Sequence, residues 1–239
     1  MLILGIETSG TRGSIALFQN GACLAEAELE AAPRRHAQTL VTEIRELFGL
    51  HRLRIPSLEA IAVSVGPGSF TGLRVGVVCA KTLAYATGAR LAAVDTPEAI
   101  AANSPPDVET VHVITDAQRG DLFVGTYRRT AEGDWLRDGP LAIAAGEAWF
   151  AGLRAGDVVT GPGLAKWRET HDASPNPPAT AWRGLPESVW TPSARAVAAL
   201  GARQIARGVV ANCATLEPFY LRRSAAEERA DAAGSPQPR

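Results

Sequence analysis

The chain has 239 residues, 46% hydrophobic and 21% charged, with a formal net charge of -1. That is enough for one large domain or two small ones with a sizeable apolar core. Twenty-four basic side chains stand against 25 acidic ones, so no global electrostatic case exists for a dedicated nucleic-acid binder. All but two of the basic residues are arginine, the exceptions being Lys81 and Lys166. Cys23, Cys79 and Cys213 lie far apart without a CxxC, which argues against a disulfide framework and fits a reducing cytoplasm. The most apolar window, Val75 to Val94, is interrupted by Lys81 and Arg90, so no membrane span is expected. The first residues lack the basic and small-residue features of a secretory signal.

The opening predicts three antiparallel strands. Leu2 to Glu7 is apolar, a Gly/Ser/Thr turn follows, and Ser14 to Phe18 is a second apolar run. Asn20-Gly21 then supplies a hairpin turn whose central residues need positive φ, and Cys23 to Leu29 alternates as a third strand. From His36 the period changes: Ala37, Leu40, Val41, Ile44, Leu47 and Phe48 follow a 3.6-residue repeat that stops at Gly49. A short buried strand over Glu59 to Val65 runs into Gly66-Pro67-Gly68. A second helix is expected from Ser69 or Thr71 to Gly88, then a strand over Leu91 to Val94. The order is βββαβαβ.

Asn103 to Asp107 reads as a boundary. Beyond it, Val111 to Ile114 and Leu122 to Tyr127 predict strands around an Asp116-Ala117-Gln118-Arg119-Gly120 turn. Arg119-Gly120-Asp121-Leu122-Phe123 weakly echoes Arg12-Gly13-Ser14-Ile15-Ala16, as a duplicated strand-turn-strand unit would. A helix near Ala145 to Leu153, a strand at Val158-Val159 and a final helix from Ser193 to Arg207 complete the pattern. Residues 171–192 are rich in Pro and Trp without a clear period. Ser224 to Arg239 is poor in apolar groups and reads as a disordered tail.

The most distinctive segment is Gly66-Pro67-Gly68-Ser69-Phe70-Thr71-Gly72-Leu73-Arg74. A strand, a glycine-rich loop and a helix N-terminus in succession offer free N–H groups to an anion. The alternative is a tight turn capped by Ser69 or Thr71. It is neither a Walker loop nor a nucleophile elbow, since neither spacing is present. Behind it, Gly72, Gly76, Ala80, Ala84 and Gly88 recur every four residues. This small-residue ridge admits another helix closely, either within the monomer or from a partner subunit. His36, His51, His112 and His171 are too scattered for a metal site. Glu7, Asp95 and Asp116 sit near predicted strand ends, where α/β active sites form.

Gly5-Ile6-Glu7-Thr8-Ser9 together with Gly66 to Arg74 resembles the TsaB (YeaZ) family, which acts in making threonylcarbamoyladenosine beside the anticodon of tRNA. The resemblance continues at His36 to Ile44, Asp116 to Asp121 and Pro218 to Arg222, with Gln118 where the family usually has Arg. It implies an α/β chain of the actin/hsp70/sugar-kinase (ASKHA, RNase H-like) fold with two related subdomains. The first would be 1–104, with 208–223 packing back on it, and the second, degenerate, 105–207. The catalytic sibling TsaD carries a Val-Asn-His-x-Glu-Gly-His segment whose histidines bind metal. Here Val94-Asp95-Thr96-Pro97-Glu98-Ala99-Ile100 stands instead, and Thr96 and Ile100 are no replacement for imidazoles.

A cytoplasmic, non-catalytic paralogue of TsaD is therefore expected, with no metal, no catalytic residue and no tightly bound cofactor. ATP and Mg would enter only through the partner complex. Glu7, Thr8, Ser9, Gly66, Gly68, Ser69 and Asp116 are the expected vestiges of nucleotide or phosphate loops. Leu40, Ile44, Phe70, Gly72, Gly76, Ala80 and Ala84 are the expected partner surface. The implied partners are TsaD and the ATPase TsaE, with a homodimer when the chain is alone and tRNA met indirectly; no membrane is involved. Rival readings are an autonomous ATP-dependent phosphotransferase of the same fold and a glycoprotease-like peptidase.

Overall fold

The computed structural model describes residues 1–29, 33–171 and 182–222; the tail 224–239 and much of the 171–192 segment lie outside the described residues. The first half contains β1 (Leu2–Glu7), β2 (Ser14–Gln19), β3 (Ala22–Glu28), α1 (Pro33–Leu50), β4 (Ala60–Gly66), α2 (Phe70–Thr87) and β5 (Arg90–Asp95). They form one sheet in the order β3-β2-β1-β4-β5. β1–β2 and β2–β3 are antiparallel hairpins, whereas β1–β4 and β4–β5 are parallel crossovers made by the helices. β1 is buried along its whole length and β4 nearly so, because both of their faces are covered. That explains their continuous apolar runs. At the sheet edge, β3 alternates between exposed and half-buried residues.

α1 starts at Pro33, ahead of the expected His36, and runs one residue past Gly49. α2 fits its sequence signals: the Ser69 hydroxyl accepts from the Gly72 N–H at its start, and Gly88 (φ 74°) ends it in the left-handed region.

The second half begins with α3 (Thr96–Ala101), then β6 (Thr110–Asp116), β7 (Asp121–Arg129), β8 (Trp135–Arg137), β9 (Ala142–Ala145), α4 (Gly146–Ala151), β10 (Val158–Thr160), α5 (Gly163–His171) and β11 (Arg183–Gly184). Its sheet runs β11-β10-β6-β7-β8, with β9 also paired to β7. β6–β7 is antiparallel, β6–β10 and β10–β11 are parallel, and β7–β8 is antiparallel. Strand for strand this repeats the first sheet, with β6 in the place of β1, β10 of β4 and α5 of α2. The weak echo between the two hairpins thus marks corresponding places in a repeated topology.

The last helix, α6 (Ala194–Ala206), corrects the expected segmentation, which put 105–207 in the second half. α6 lies across β1, β2, β4 and β5 of the first sheet, on the face opposite α1 and α2. Val197, Ala198 and Leu200 pack with Ile3, Ala60, Ala62 and Ala92. A Cβ on Gly201 would collide with that of Ala62, so the sheet's alanines and this glycine are what let helix and sheet approach. After α6 the chain stays with the first half: Ala211 bridges to Leu91 and the Phe219 N–H donates to the Val65 carbonyl at 2.7 Å.

Candidate functional site

A cleft of about 550 Å³ opens between the halves. One wall is the turn after β1 (Ser9, Gly10, Thr11) and the loop before α2 (Pro67, Gly68, Ser69). The other is the end of β6 and its turn (Thr115, Asp116, Ala117, Gln118) with Pro162, and Phe219 to Arg222 line the mouth.

The first wall is drawn together by the residues singled out in the sequence. Ser69 N–H donates to the Ser9 carbonyl (2.7 Å), and the Thr8 hydroxyl donates to the Gly72 carbonyl (2.8 Å). A Cβ at Gly68 would stand 2.9 Å from that of Ser9, and one at Gly72 or Gly76 would strike Thr8. The glycines are where they are because the turn leaving β1 runs against the loop before α2 and the helix's first turns. Glu7 is wholly buried; its Oε1 accepts from both the N–H and the hydroxyl of Ser9 at 2.5 Å, while its Oε2 has no partner. Burial pushes its carboxyl above the ordinary range against the pull of the Ser9 hydrogen bonds. Glu7 does not line the cleft; Ser9, Gly68, Ser69 and Asp116 do, and Gly66 lies one residue behind. Asp116 is exposed, and its Oδ1 accepts from the Gln118 N–H at 2.8 Å.

The opposite wall repeats a motif that the sequence reading passed over. Gly161-Pro162-Gly163 stands between β10 and α5 as Gly66-Pro67-Gly68 stands between β4 and α2. Gly66 and Gly161 share the same backbone twist (φ 115° and 111°), and a Cβ on either would run into main chain. The identical tripeptide, after a strand and before a helix in each half, was the signal available.

The expected partner surface needs correcting. Gly72, Gly76, Ala80 and Ala84 are buried beneath α2 against β1 and β4, and Leu40 and Ile44 are 1% exposed in the same core. The ridge thus packs inside the monomer. What α1 and α2 turn outward is Val41 (64% exposed), Val78 (61%) and Tyr85 (89%). Phe70 is half-buried at the cleft mouth, its ring 4.9 Å from that of Tyr220 with the Arg74 guanidinium 4.0 Å from its centre.

The stretch aligned with the sibling's metal ligands has other employment. Thr96 accepts from the Gly66 N–H (3.2 Å), Ile100 is fully buried, and Asp95 caps α3 while binding Tyr127 (3.1 Å) and Arg137 (2.7 Å). A threonine hydroxyl already engaged and a core isoleucine do not fit a metal.

A family model described as "TsaD: tRNA N6-adenosine threonylcarbamoyltransferase" matches residues 30–148. A TsaD-type relative, the tRNA N6-adenosine threonylcarbamoyltransferase of Solidesulfovibrio magneticus, is 38% identical but aligns with only 40% of this chain and 29% of its own. The tRNA threonylcarbamoyladenosine biosynthesis protein TsaB of Escherichia coli is 26% identical across 95% of this chain and 96% of its own. The solved YeaZ of Pseudomonas aeruginosa superposes with a TM-score of 0.76 over 92% of this chain and 99% of that one, at 26% identity. Likeness from end to end decides between the two. The chain belongs to the TsaB (YeaZ) family. Its fold is accordingly the α/β, actin/hsp70/sugar-kinase one, and the segment that matches the TsaD model carries α1, the loop before α2 and α2, but not the turn after β1.

Proposed function

We propose that this chain takes part in forming threonylcarbamoyladenosine in tRNA as a non-catalytic subunit that binds and activates TsaD. The observation that carries the reading is the end-to-end likeness to TsaB. The use of Thr96 and Ile100 for structure, where TsaD keeps metal-binding histidines, supports a role without chemistry of its own. TsaD would handle the tRNA and the threonylcarbamoyl-adenylate, with the ATPase TsaE joining the pair.

The docking surface in this reading is the outward face of α1 and α2. Val41, Val78 and Tyr85 are large apolar groups exposed on two packed helices, a pattern of helical anchors suited to another protein's apolar groove. The same face would join two copies when TsaD is absent. No described helix is long and apolar enough to cross a membrane.

The test is depletion of the protein in its host, with threonylcarbamoyladenosine in bulk tRNA measured by mass spectrometry. Loss of the nucleoside, restored when the protein and TsaD are combined in vitro, is the expected result. An unchanged level with depletion verified would overturn the assignment, and ATP turnover by the pure protein would then favour a phosphotransferase.

A further inference from the structure

Residues 209–222 follow α6 and form a strap that is fastened to the first half and hooked onto the second. Along the first half, Ala211 bridges to Leu91 at the edge of β5. The Lys81 ammonium on α2 donates to the carbonyls of Ala214 (3.3 Å) and Leu216 (2.9 Å). The Phe219 N–H donates to Val65, and the Phe219 carbonyl lies so close to Gly66 that a Cβ there would stand 2.7 Å from it. Arg74 donates from Nε to the Tyr220 hydroxyl (3.0 Å) while Tyr220 packs on Phe70.

Two residues on, the strap crosses to the β6–β7 turn of the other half. There the Arg222 guanidinium donates to the carbonyls of Ala117 (2.5 Å) and Gln118 (3.2 Å) and pairs with the Asp121 carboxylate. The pair is mostly buried, with the two side chains 22% and 30% exposed, so it is less screened than a surface ion pair. The turn it holds is an unusual one, with both Gln118 (φ 65°) and Arg119 (φ 57°) left-handed.

We propose that this strap is a tether limiting how far the cleft opens, with Arg222 as its latch. Every anchor from Ala211 to Tyr220 is on the first half, whereas each bond of Arg222 named above is to the second. Phe219 to Arg222 also line the cleft mouth, so separating the walls there pulls directly on the guanidinium. Losing it removes three bonds at the point furthest along the strap while leaving its other attachments in place.

The test is a distance measured across the cleft by pulsed electron spin resonance. Spin labels go on cysteines placed at Arg12 and Ala165, exposed on opposite halves, in the full chain carrying Cys23→Ser, Cys79→Ala and Cys213→Ser. Arg222→Ala is expected to shift the distribution to longer distances and broaden it. Asp121→Asn, which keeps the two carbonyl bonds, should shift it in the same direction by less. Distributions for both variants that superimpose on the parent, with unchanged circular dichroism, would overturn the tether. Should Arg222→Ala fail to fold, Asp121→Asn alone decides: a lengthened distance supports the latch and an unchanged one refutes it.

Discussion

Glu98, in the first turn of α3, is placed where its charge is unwelcome. Burial raises its carboxyl to about 7, the neighbouring Asp95 adds to the shift and Arg137 opposes it. A carboxyl raised above its ordinary 4.5 binds its proton more tightly in the folded chain than in the unfolded one. Its contribution is therefore full below pH 4.5 and is lost as the pH rises through 7. Glu98→Gln should flatten the fall in stability over that window, read from urea midpoints at a series of pH values. At Gly76 a Cβ would strike the Thr8 hydroxyl that bonds the Gly72 carbonyl. Gly76→Ala should cost about 1–3 kcal/mol in equilibrium unfolding, as overpacking does. Glu7, Thr8, Ser9, Gly68 and Ser69 were legible as a group only through the family resemblance, because a glycine-rich loop between a strand and a helix reads as well as a tight turn. Their division between buried support and cleft lining was not, since that depends on which side chain points beneath the sheet.

At the scale of the element, α2 shows what periodicity conveys and what it leaves open. Its length, its Ser69 cap and its Gly88 stop follow from local chemistry and match the structure. The ridge of Gly72, Gly76, Ala80 and Ala84 identifies a close-packed face, but a small-residue stripe fits a strand of the same chain as well as a partner's helix. The sheet claims it, because α2 lies along β4 and its first turns meet the turn that leaves β1. Two outcomes should separate the faces. Ala80→Trp, on the buried side, should destabilise the fold. Tyr85→Ala, on the exposed side, should leave the unfolding midpoint within error and weaken binding to TsaD by about 2 kcal/mol if Tyr85 anchors the interface. Calorimetric titration against purified TsaD checks the second, and unaltered affinity in Tyr85→Ala and Val78→Asp together would remove this face from the docking model.

For the whole molecule, the decisive arrangement is the return of the chain to its beginning. The first sheet has one face covered by α1 and α2 and the other by α6, which arrives only after the whole second half has been built. A fragment ending at residue 104 would leave Ile3, Ala60, Ala62 and Ala92 facing water. Such a fragment should be unfolded or aggregated by circular dichroism and NMR, whereas the same fragment joined by a short linker to residues 193–222 should fold. Heating the full chain should accordingly disrupt the first half together with α6.

The strands and helices of the first half, the glycine-rich loop, the resemblance to the family and the hint of duplication could be read from neighbouring residues or a repeated pattern, whereas the short elements α3, β8, β9, α5 and β11 could not. Packing in three dimensions settles which face of α2 is buried, that α6 belongs to the first sheet, that Gly161-Pro162-Gly163 mirrors Gly66-Pro67-Gly68 across the cleft, and that Arg222 reaches the β6–β7 turn. These are contacts between residues distant in the chain. An apolar stripe or a lone arginine encodes a need for a partner but not the partner's position, and that position is fixed only when the two sheets and their helices are packed together.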